Sequence, residues 1–318
     1  MTDIYVLETD SFKAYHNQAL EKYLLEDVKD DTVILYLWQN EKTIVIGRNQ
    51  DAYAECDIAR LEKENGYLAR RITGGGAVYH DRGNLNFTFV CPKDLYDPDE
   101  QDEIILVALR SLGIESEKNG RNDLLVNGRK FSGHAYYKGK KGCIHHGTLM
   151  VDVKEEDLSR FLNVSLKKLE NKNVSSVRSR IINLKQVKDD LTVDMLKKAL
   201  IKAFEEHYHG ISRPYDIEDK ARIQKLEKQF DDPSWRYGDK KDYRFTNEKK
   251  TAEALIKIAF DLEDDKIRDL VIYTDSLDPE AVQGVKKKLI GKKISEINDT
   301  DEETRQIAGM IREVCDEI

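Results

Sequence analysis

The densest chemistry in the chain lies in the run Arg70-Arg71-Ile72-Thr73-Gly74-Gly75-Gly76-Ala77-Val78-Tyr79-His80-Asp81. Three successive glycines carry no Cβ, so their backbone N–H groups can approach a ligand closely and adopt positive φ where needed. The two arginines before them are planar, permanently charged forks that match phosphate oxygens. The run is not a Walker loop, which ends in Gly-Lys-Ser/Thr. Nor is it the dinucleotide Gly-x-Gly-x-x-Gly, because Tyr79 stands at the last glycine position. A glycine triplet alone is more often a plain loop; arginines before it and a strand after it turn the balance toward an anion site.

A second concentration is Gly120-Arg121-Asn122-Asp123, followed by Asn127-Gly128-Arg129-Lys130-Phe131-Ser132-Gly133. Asn-Gly is a strong hairpin signal, so the flanking strands should be antiparallel and bring Asp123 near Lys130. From Lys118 to Thr148 the chain holds seven basic residues and one acid, Asp123. Such a local excess can attract a small polyanion, although Lys138-Gly139-Lys140-Lys141 reads as a solvated basic hairpin. In His145-His146-Gly147-Thr148 the two histidines face opposite sides of a strand and should not share a metal. No His/Cys/Asp spacing here resembles a zinc site.

These groups must be positioned by a chain of 318 residues, about two domains long. Charged residues make up 35%, and Lys plus Arg (52) against Asp plus Glu (60) leaves −8, which excludes a general nucleic-acid binder. Cys56, Cys91, Cys143 and Cys315 are scattered, as suits a reducing compartment. With neither a basic, apolar leader nor a run of roughly 20 apolar residues, the expectation is a cytoplasmic protein without membrane contact, acting as a monomer. Strand-like runs are Ile4–Leu7, Thr32–Trp38, Thr43–Ile46, Tyr67–Ala69, Ala77–Val90, Leu124–Val126, Phe131–Tyr137 and Ile144–Val153. Thr32–Trp38 and Thr43–Ile46 are expected to form a hairpin about Gln39-Asn40-Glu41-Lys42. Helices are expected after Asp10-Ser11 and over Ala54–Glu64, Ile104–Leu112, Leu158–Leu162 and Thr192–Tyr208. Without regular βαβ alternation, the fold class is α/β of the α+β kind, a mixed sheet with helices packed on it. The boundary is expected near residue 246. The last part is a small α/β unit with two strands, Ala254–Phe260 and Ile267–Tyr273, and two helices, Pro279–Leu289 and Glu302–Val314.

Taken in order, five motifs resemble the lipoate–protein ligase A family: Arg70 to Asn84, Gly120 to Asp123, Gly128 to Gly133, His145 to Leu149 and Ser176-Val177-Arg178-Ser179-Arg180. The resemblance spans about residues 1–245, and 246–318 is similar to the accessory domain of the family's long forms. It implies the mixed-sheet fold shared with biotin–protein ligases. It also implies activation of lipoate by MgATP to lipoyl-adenylate and pyrophosphate. Transfer to a lysine ε-amine of a carrier domain would follow, on a 2-oxoacid dehydrogenase E2 subunit or the glycine cleavage H protein. By that resemblance Arg71, Gly74, Gly75, Gly76, Ala77, Val78, Tyr79 and Lys130 bind ATP, while Lys130, Arg71, His80, His146 and Val78 meet lipoate or octanoate. Lys130 is the essential lysine. Asp123 would hold Mg²⁺ or orient the incoming amine. His134 departs from the family pattern, where small or polar residues are usual.

The physical expectation is that Lys130 neutralises both a carboxylate and the α-phosphate, two anions that otherwise repel. Val78, Leu85, Phe87 and Ala135 are candidates for an apolar acyl slot, with core packing the alternative for each. Three other readings remain: an ATP-independent acyltransferase working through a thioester on Cys143, a biotin ligase, against which the Arg-Arg-x-Thr-Gly-Gly-Gly-Ala-Val run favours the lipoate branch, and a non-catalytic adenylate-binding regulator. The C-terminal unit is expected to cover the adenylate site in one state and clear it in another.

Overall fold

The computed structural model describes residues 2–120, 122–163, 180–238, 241–297 and 301–316. Arg121 and Ser176 to Ser179, which belong to two of the expected motifs, lie outside the described residues.

Fourteen strands are described: β1 (Asp3–Glu8), β2 (Thr32–Trp38), β3 (Thr43–Ile46), β4 (Tyr67–Arg70), β5 (Val78–His80), β6 (Asn84–Pro92), β7 (Glu117–Asn119), β8 (Asp123–Val126), β9 (Arg129–Lys138), β10 (Gly142–Met150), β11 (Arg213–Pro214), β12 (Phe245–Lys250), β13 (Leu255–Glu263) and β14 (Lys266–Thr274). The principal sheet has the order β11-β1-β2-β6-β10-β9-β8-β7. Its first three strands are parallel and the pairs from β2/β6 onward antiparallel. The expected mixed sheet is therefore present.

Both faces of this sheet are covered, which is why β2 reads as a continuous apolar run and all seven of its residues are buried. Val33, Leu35 and Leu37 pack with Leu85, Phe87 and Phe89 against the helices Pro98–Ser111 and Val193–His207. On the other face Ile34, Tyr36, Trp38 and Ile144 meet the helices Ala14–Asp27 and Lys220–Asp231. Leu85 and Phe87 thus belong to the first core and do not line a ligand slot.

The expected β2–β3 hairpin does not form. β2 pairs with β1 and β6, whereas β3 lies between β4 and β5 in a separate three-stranded sheet. The connection is held across layers instead: Glu41 N–H donates to Phe12 O, and buried Asn40 takes a hydrogen bond from Asn17. The run Ala77–Val90 likewise divides at Asp81 into β5 and β6, in different sheets. Ala54–Glu64 becomes two short helices, each with its own aspartate cap, Asp51 and Asp57. The helix Lys220–Asp231 was not anticipated, although Ile223, Leu226 and Phe230 have helical spacing.

β12, β13 and β14 form an antiparallel sheet backed by the helices Ala281–Leu289 and Glu302–Asp316, with a core of its own around Phe260, Leu270 and Ile311. Three strands replace the two expected; Phe-Thr-Asn-Glu-Lys-Lys is a polar edge strand with no apolar alternation. This unit rests against the glycine-rich loop. Thr274 N–H donates to Asn49 O at 2.9 Å, Asn49 Nδ2 to Pro279 O at 2.9 Å, and Gly75 N–H to Ser276 O at 2.9 Å. Among the described residues no helix is long and apolar enough to cross a membrane.

Candidate active site

An inner cavity of about 140 Å³ lies between β9, β10, the helix Ala14–Asp27 and the glycine-rich loop. Arg71, Gly75, Gly76, Ala77, Val78 and His80 reach it from the first motif, Lys130 from the hairpin and His146 from β10. Gly75, Gly76 and Asn122 also border a larger cleft, about 630 Å³, whose opposite wall is Lys250–Leu255 and Asp275–Asp278. The inner cavity therefore opens into the cleft beside the glycines.

The turn at Asn127-Gly128 has positive φ at both residues (53° and 69°), the geometry that lets β8 and β9 pair as a tight hairpin. The register then shifts between the pairs Leu124↔Ser132 and Leu125↔Lys130. Such a bulge re-aims side chains. Lys130 Nζ lies 2.7 Å from Asp123 Oδ1, so the hairpin does bring the two together. It also passes over Gly133, where a Cβ would stand 2.9 Å from the ammonium. Asp123 is paired with Lys130 and does not line the inner cavity. One carboxylate suits a Mg²⁺ that arrives on nucleotide phosphates better than a resident ion.

Arg71 is buried and its fork is turned onto its own loop. Nε donates to Thr73 Oγ1 at 3.0 Å, Nη1 to Val45 O at 3.1 Å, and Nη2 to Gly74 O and Gly76 O at 2.6 and 2.8 Å. Burial pushes its pKa down to about 10, with Glu21 opposing, so it stays charged at neutral pH. In this arrangement Arg71 shapes the loop, and Gly75 N–H is taken by Ser276 O. A Cβ at Gly74 would come within 2.2 Å of that same carbonyl. The side chain of Tyr79 points away from the cavity and donates to Asp157 Oδ2 at 3.2 Å.

The two adjacent histidines face opposite sides, as their strand positions require. His146 Nε2 is 2.9 Å from Thr73 Oγ1 and its Nδ1 2.6 Å from Glu21 Oε1, which also accepts from Thr88 Oγ1. His145 faces Gln101, His134 and Asp102 on the other side of the sheet. Ligand-type atoms of Asp102, His134 and His145 lie within 4.8 Å of one another. Lys118 Nζ, 2.6 Å from Asp102 Oδ2, already supplies the cation there. Burial holds both histidines below their ordinary pKa, His145 strongly so. Burial works to raise Asp102, but its bond to His134 brings it below the usual range. The group is a neutral-imidazole network behind the active-site strands, and His134 also reaches the inner cavity.

Cys143 is buried opposite Cys91 and Lys138. It lines neither cavity, and burial pushes its thiol up. That geometry disfavours a thioester route.

Sequence reasoning missed Gln18, Glu21, Trp38 and Asn86, which also line the inner cavity. A signal for two of them exists. Asn17, Gln18 and Glu21 are polar residues within one turn of the helix Ala14–Asp27, on its buried face.

Comparison with known proteins gives two family matches: the lipoyl protein ligase A/B catalytic domain over residues 13–205, and the bacterial lipoate protein ligase C-terminus over residues 240–307. The lipoate-protein ligase A of Bdellovibrio bacteriovorus is 37% identical over 301 residues, covering 92% of this chain and 89% of the relative. Among solved structures, P. falciparum LipL1 in complex with lipoate is similar with a TM-score of 0.81 and 26% identity, over 99% of this chain and 100% of that one. A bipartite lipoate protein ligase of Thermoplasma acidophilum, described with its E2 lipoyl domain, gives 0.66 and 27% over 77% and 100%. A lipoate-protein ligase A bound with ATP gives 0.64 and 26% over 74% and 98%. An ammonium and a glycine-rich loop lining one cavity, on this sheet and with this C-terminal unit, agree with both family matches and with a relative 37% identical over 92% of the chain: the chain belongs to the lipoate–protein ligase A family.

Proposed function

We propose that the protein is an ATP-dependent lipoate–protein ligase, with residues 1–245 activating and transferring the acyl group and 246–318 an accessory unit. The observation that carries this reading is the place of Lys130, which lines the inner cavity next to the glycines that open onto the cleft. A carboxylate seated there and an α-phosphate entering from the cleft would meet at one fixed positive charge. The lipoate carboxylate oxygen attacks the α-phosphorus of MgATP, the bond to the bridging oxygen breaks, and magnesium pyrophosphate leaves. Two anions react slowly in water, and a preorganised cation lowers that barrier without solvent having to reorganise. The amine of a carrier lysine, having lost its proton, then attacks the acyl carbon and AMP departs. Holding the reactive anhydride within the inner cavity limits its contact with water between the two steps.

The bound lipoate and the ATP of the related structures support this assignment of substrates, and the lipoyl domain named with the archaeal relative supports a carrier domain as acceptor. An E2 subunit or the glycine cleavage H protein is the expected carrier. A cytoplasmic place fits the four free thiols. Incubating the protein with lipoate, MgATP and candidate carrier domains tests the reading. A lipoyl mass increment on one carrier lysine, dependent on ATP, is the expected result. A carrier modified without ATP would point to the transferase reading, and adenylate bound without turnover to the regulator.

A further inference from the structure

Three ligand-type atoms from three elements converge behind the active-site strands. Asp102 Oδ1, on the helix Pro98–Ser111, lies 3.0 Å from His134 Nδ1 on β9 and 3.5 Å from His145 Nε2 on β10. The two ring nitrogens are 3.0 Å apart. All three residues are buried, at 2%, 4% and 0% exposure. Bonds of about 2.0–2.2 Å to a tetrahedral Zn²⁺ set its ligand atoms about 3.3–3.4 Å apart, and the three separations bracket that value. The histidines stand eleven residues apart on paired strands and the aspartate comes from a helix, so no local spacing announces the set. Space for the His134 ring is left by Gly147 opposite it, where a Cβ would stand 2.6 Å from His134 Cδ2.

Hydrogen-bond direction leaves a lone pair at this point. The Cys91 thiol donates to Leu95 O, so its sulfur accepts from Gln101 Nε2, which turns Gln101 Oε1 toward His145. An amide oxygen only accepts, so His145 Nδ1 carries the hydrogen and a neutral ring presents a bare Nε2. A hydrogen on His134 Nδ1 directed at that nitrogen leaves Asp102 Oδ1 unanswered, and Oδ1 has no well-directed hydrogen-bond partner. Lys118 Nζ lies 2.6 Å from the other oxygen, Oδ2, but is shared with the exposed Asp99. One ammonium against two carboxylates, with both imidazoles neutral, leaves the group one negative charge in excess. A buried charge of that kind calls for a partner, and an unsatisfied buried oxygen for an ion or water.

We propose that Asp102, His134 and His145 bind Zn²⁺, which ties the helix Pro98–Ser111 to β9 and β10 behind the inner cavity. Two imidazoles and one carboxylate are a ligand set suited to that ion. The groups around them match what metal-bound histidines need: Gln101 Oε1 receives the far N–H of His145, and Ser132 Oγ stands 2.8 Å from His134 Nε2 to receive the other. Three protein ligands leave a fourth position to water, and His134 also lines the inner cavity, which gives ion and water a way in. His134 is the position where the chain departs from the family pattern, so this ligand set is not part of that pattern.

The test uses the purified full chain, stripped with a chelator and titrated with Zn²⁺ and with Co²⁺, whose visible absorption reports tetrahedral coordination. One equivalent of either ion is expected to bind, with Zn²⁺ displacing Co²⁺ and raising the melting temperature, as an ion held only by the folded state does. His134→Ser places a small polar residue there and is expected to weaken Zn²⁺ binding by about 100-fold or more in a folded protein. A folded His134→Ser with wild-type affinity, or a wild type that binds no stoichiometric ion, overturns the site. Should the variant not fold, anomalous diffraction at the zinc edge from wild-type crystals decides. A peak between His134 Nδ1 and His145 Nε2 supports the site, and a peak elsewhere or none overturns it. No arm requires turnover, so the site stands or falls separately from the ligase reading.

Discussion

A single ammonium lining the inner cavity carries much of the proposed chemistry, and the exposure of the Lys130 side chain makes it separable from folding. Nearly two-fifths of that side chain is open to solvent, and its close partner is Asp123. Lys130→Ala is expected to lower the rate of pyrophosphate release by about 10²–10³-fold, the usual loss when a preorganised charge is removed, with an unchanged melting temperature. Release at the wild-type rate would remove Lys130 from the mechanism. His80 makes a separate prediction about stability. Its folded pKa, about 3, lies below its ordinary value of 6.5. Between those values the unfolded chain takes up a proton that the folded chain refuses. Stability therefore falls as pH drops through that window and is unaffected by this group above it; at pH 5 the loss is roughly 2 kcal/mol. His80→Gln should show a smaller fall in urea midpoint between pH 7 and pH 5 than wild type. An equal fall would place the acid sensitivity elsewhere.

Among the elements, the β8–β9 hairpin connects a two-residue turn to the site. Gly128 adopts φ of +69° with no atom within 4 Å of where a Cβ would stand, so substitution there is a question of backbone strain alone. Gly128→Ala is expected to destabilise the protein by about 1 kcal/mol while leaving the rate of adenylation close to wild type, because the strand pairs on either side hold Lys130 in place. A collapse of activity without loss of stability would show that the turn itself sets the lysine. This hairpin could be read in advance, since Asn-Gly encodes its own backbone geometry. The β2–β3 connection could not. Two apolar runs four residues apart look alike whether they pair with each other or with strands from distant parts of the chain. Here buried Asn40 and Asn17 commit the connection to a change of sheet. Asn17, Gln18 and Glu21 stand among other polar residues of the helix Ala14–Asp27, and only packing shows that these three are buried and that Gln18 and Glu21 line a cavity.

Across the whole molecule, the C-terminal unit and the glycine-rich loop share one hydrogen bond that phosphate would also need. Gly75 N–H is bonded to Ser276 O, and Gly74 lies so close to Ser276 and Leu277 that a methyl group would clash with backbone. Lys257–Asp51 and Arg48–Glu280 pairs at the surface complete the contact and add little by themselves. For these glycine amides to cradle phosphate, the segment Asp275–Asp278 must withdraw. Small-angle scattering is therefore expected to differ with and without a non-hydrolysable lipoyl-adenylate. Gly74→Ala, which pushes the same segment off, should resemble the liganded profile before ligand is added. Superimposable profiles in all three states would show that the nucleotide binds with the units still in contact.

What the order of residues determined by itself was whatever depends on local covalent character. This includes the αL turn at Asn127-Gly128, the opposed faces of His145 and His146, the side-chain-free stretch from Gly74 to Gly76, and the resemblance carried by motifs in series. What only the tertiary structure decided was where each donor points. Arg71 looked in sequence like a fork waiting for phosphate, and burial among carbonyls turned it onto Val45, Gly74 and Gly76. Gln18 carries no mark in the sequence of where it points, and packing left it buried against the inner cavity. Hydrogen-bond direction and desolvation depend on neighbours brought from far along the chain, which nearest-neighbour order does not specify.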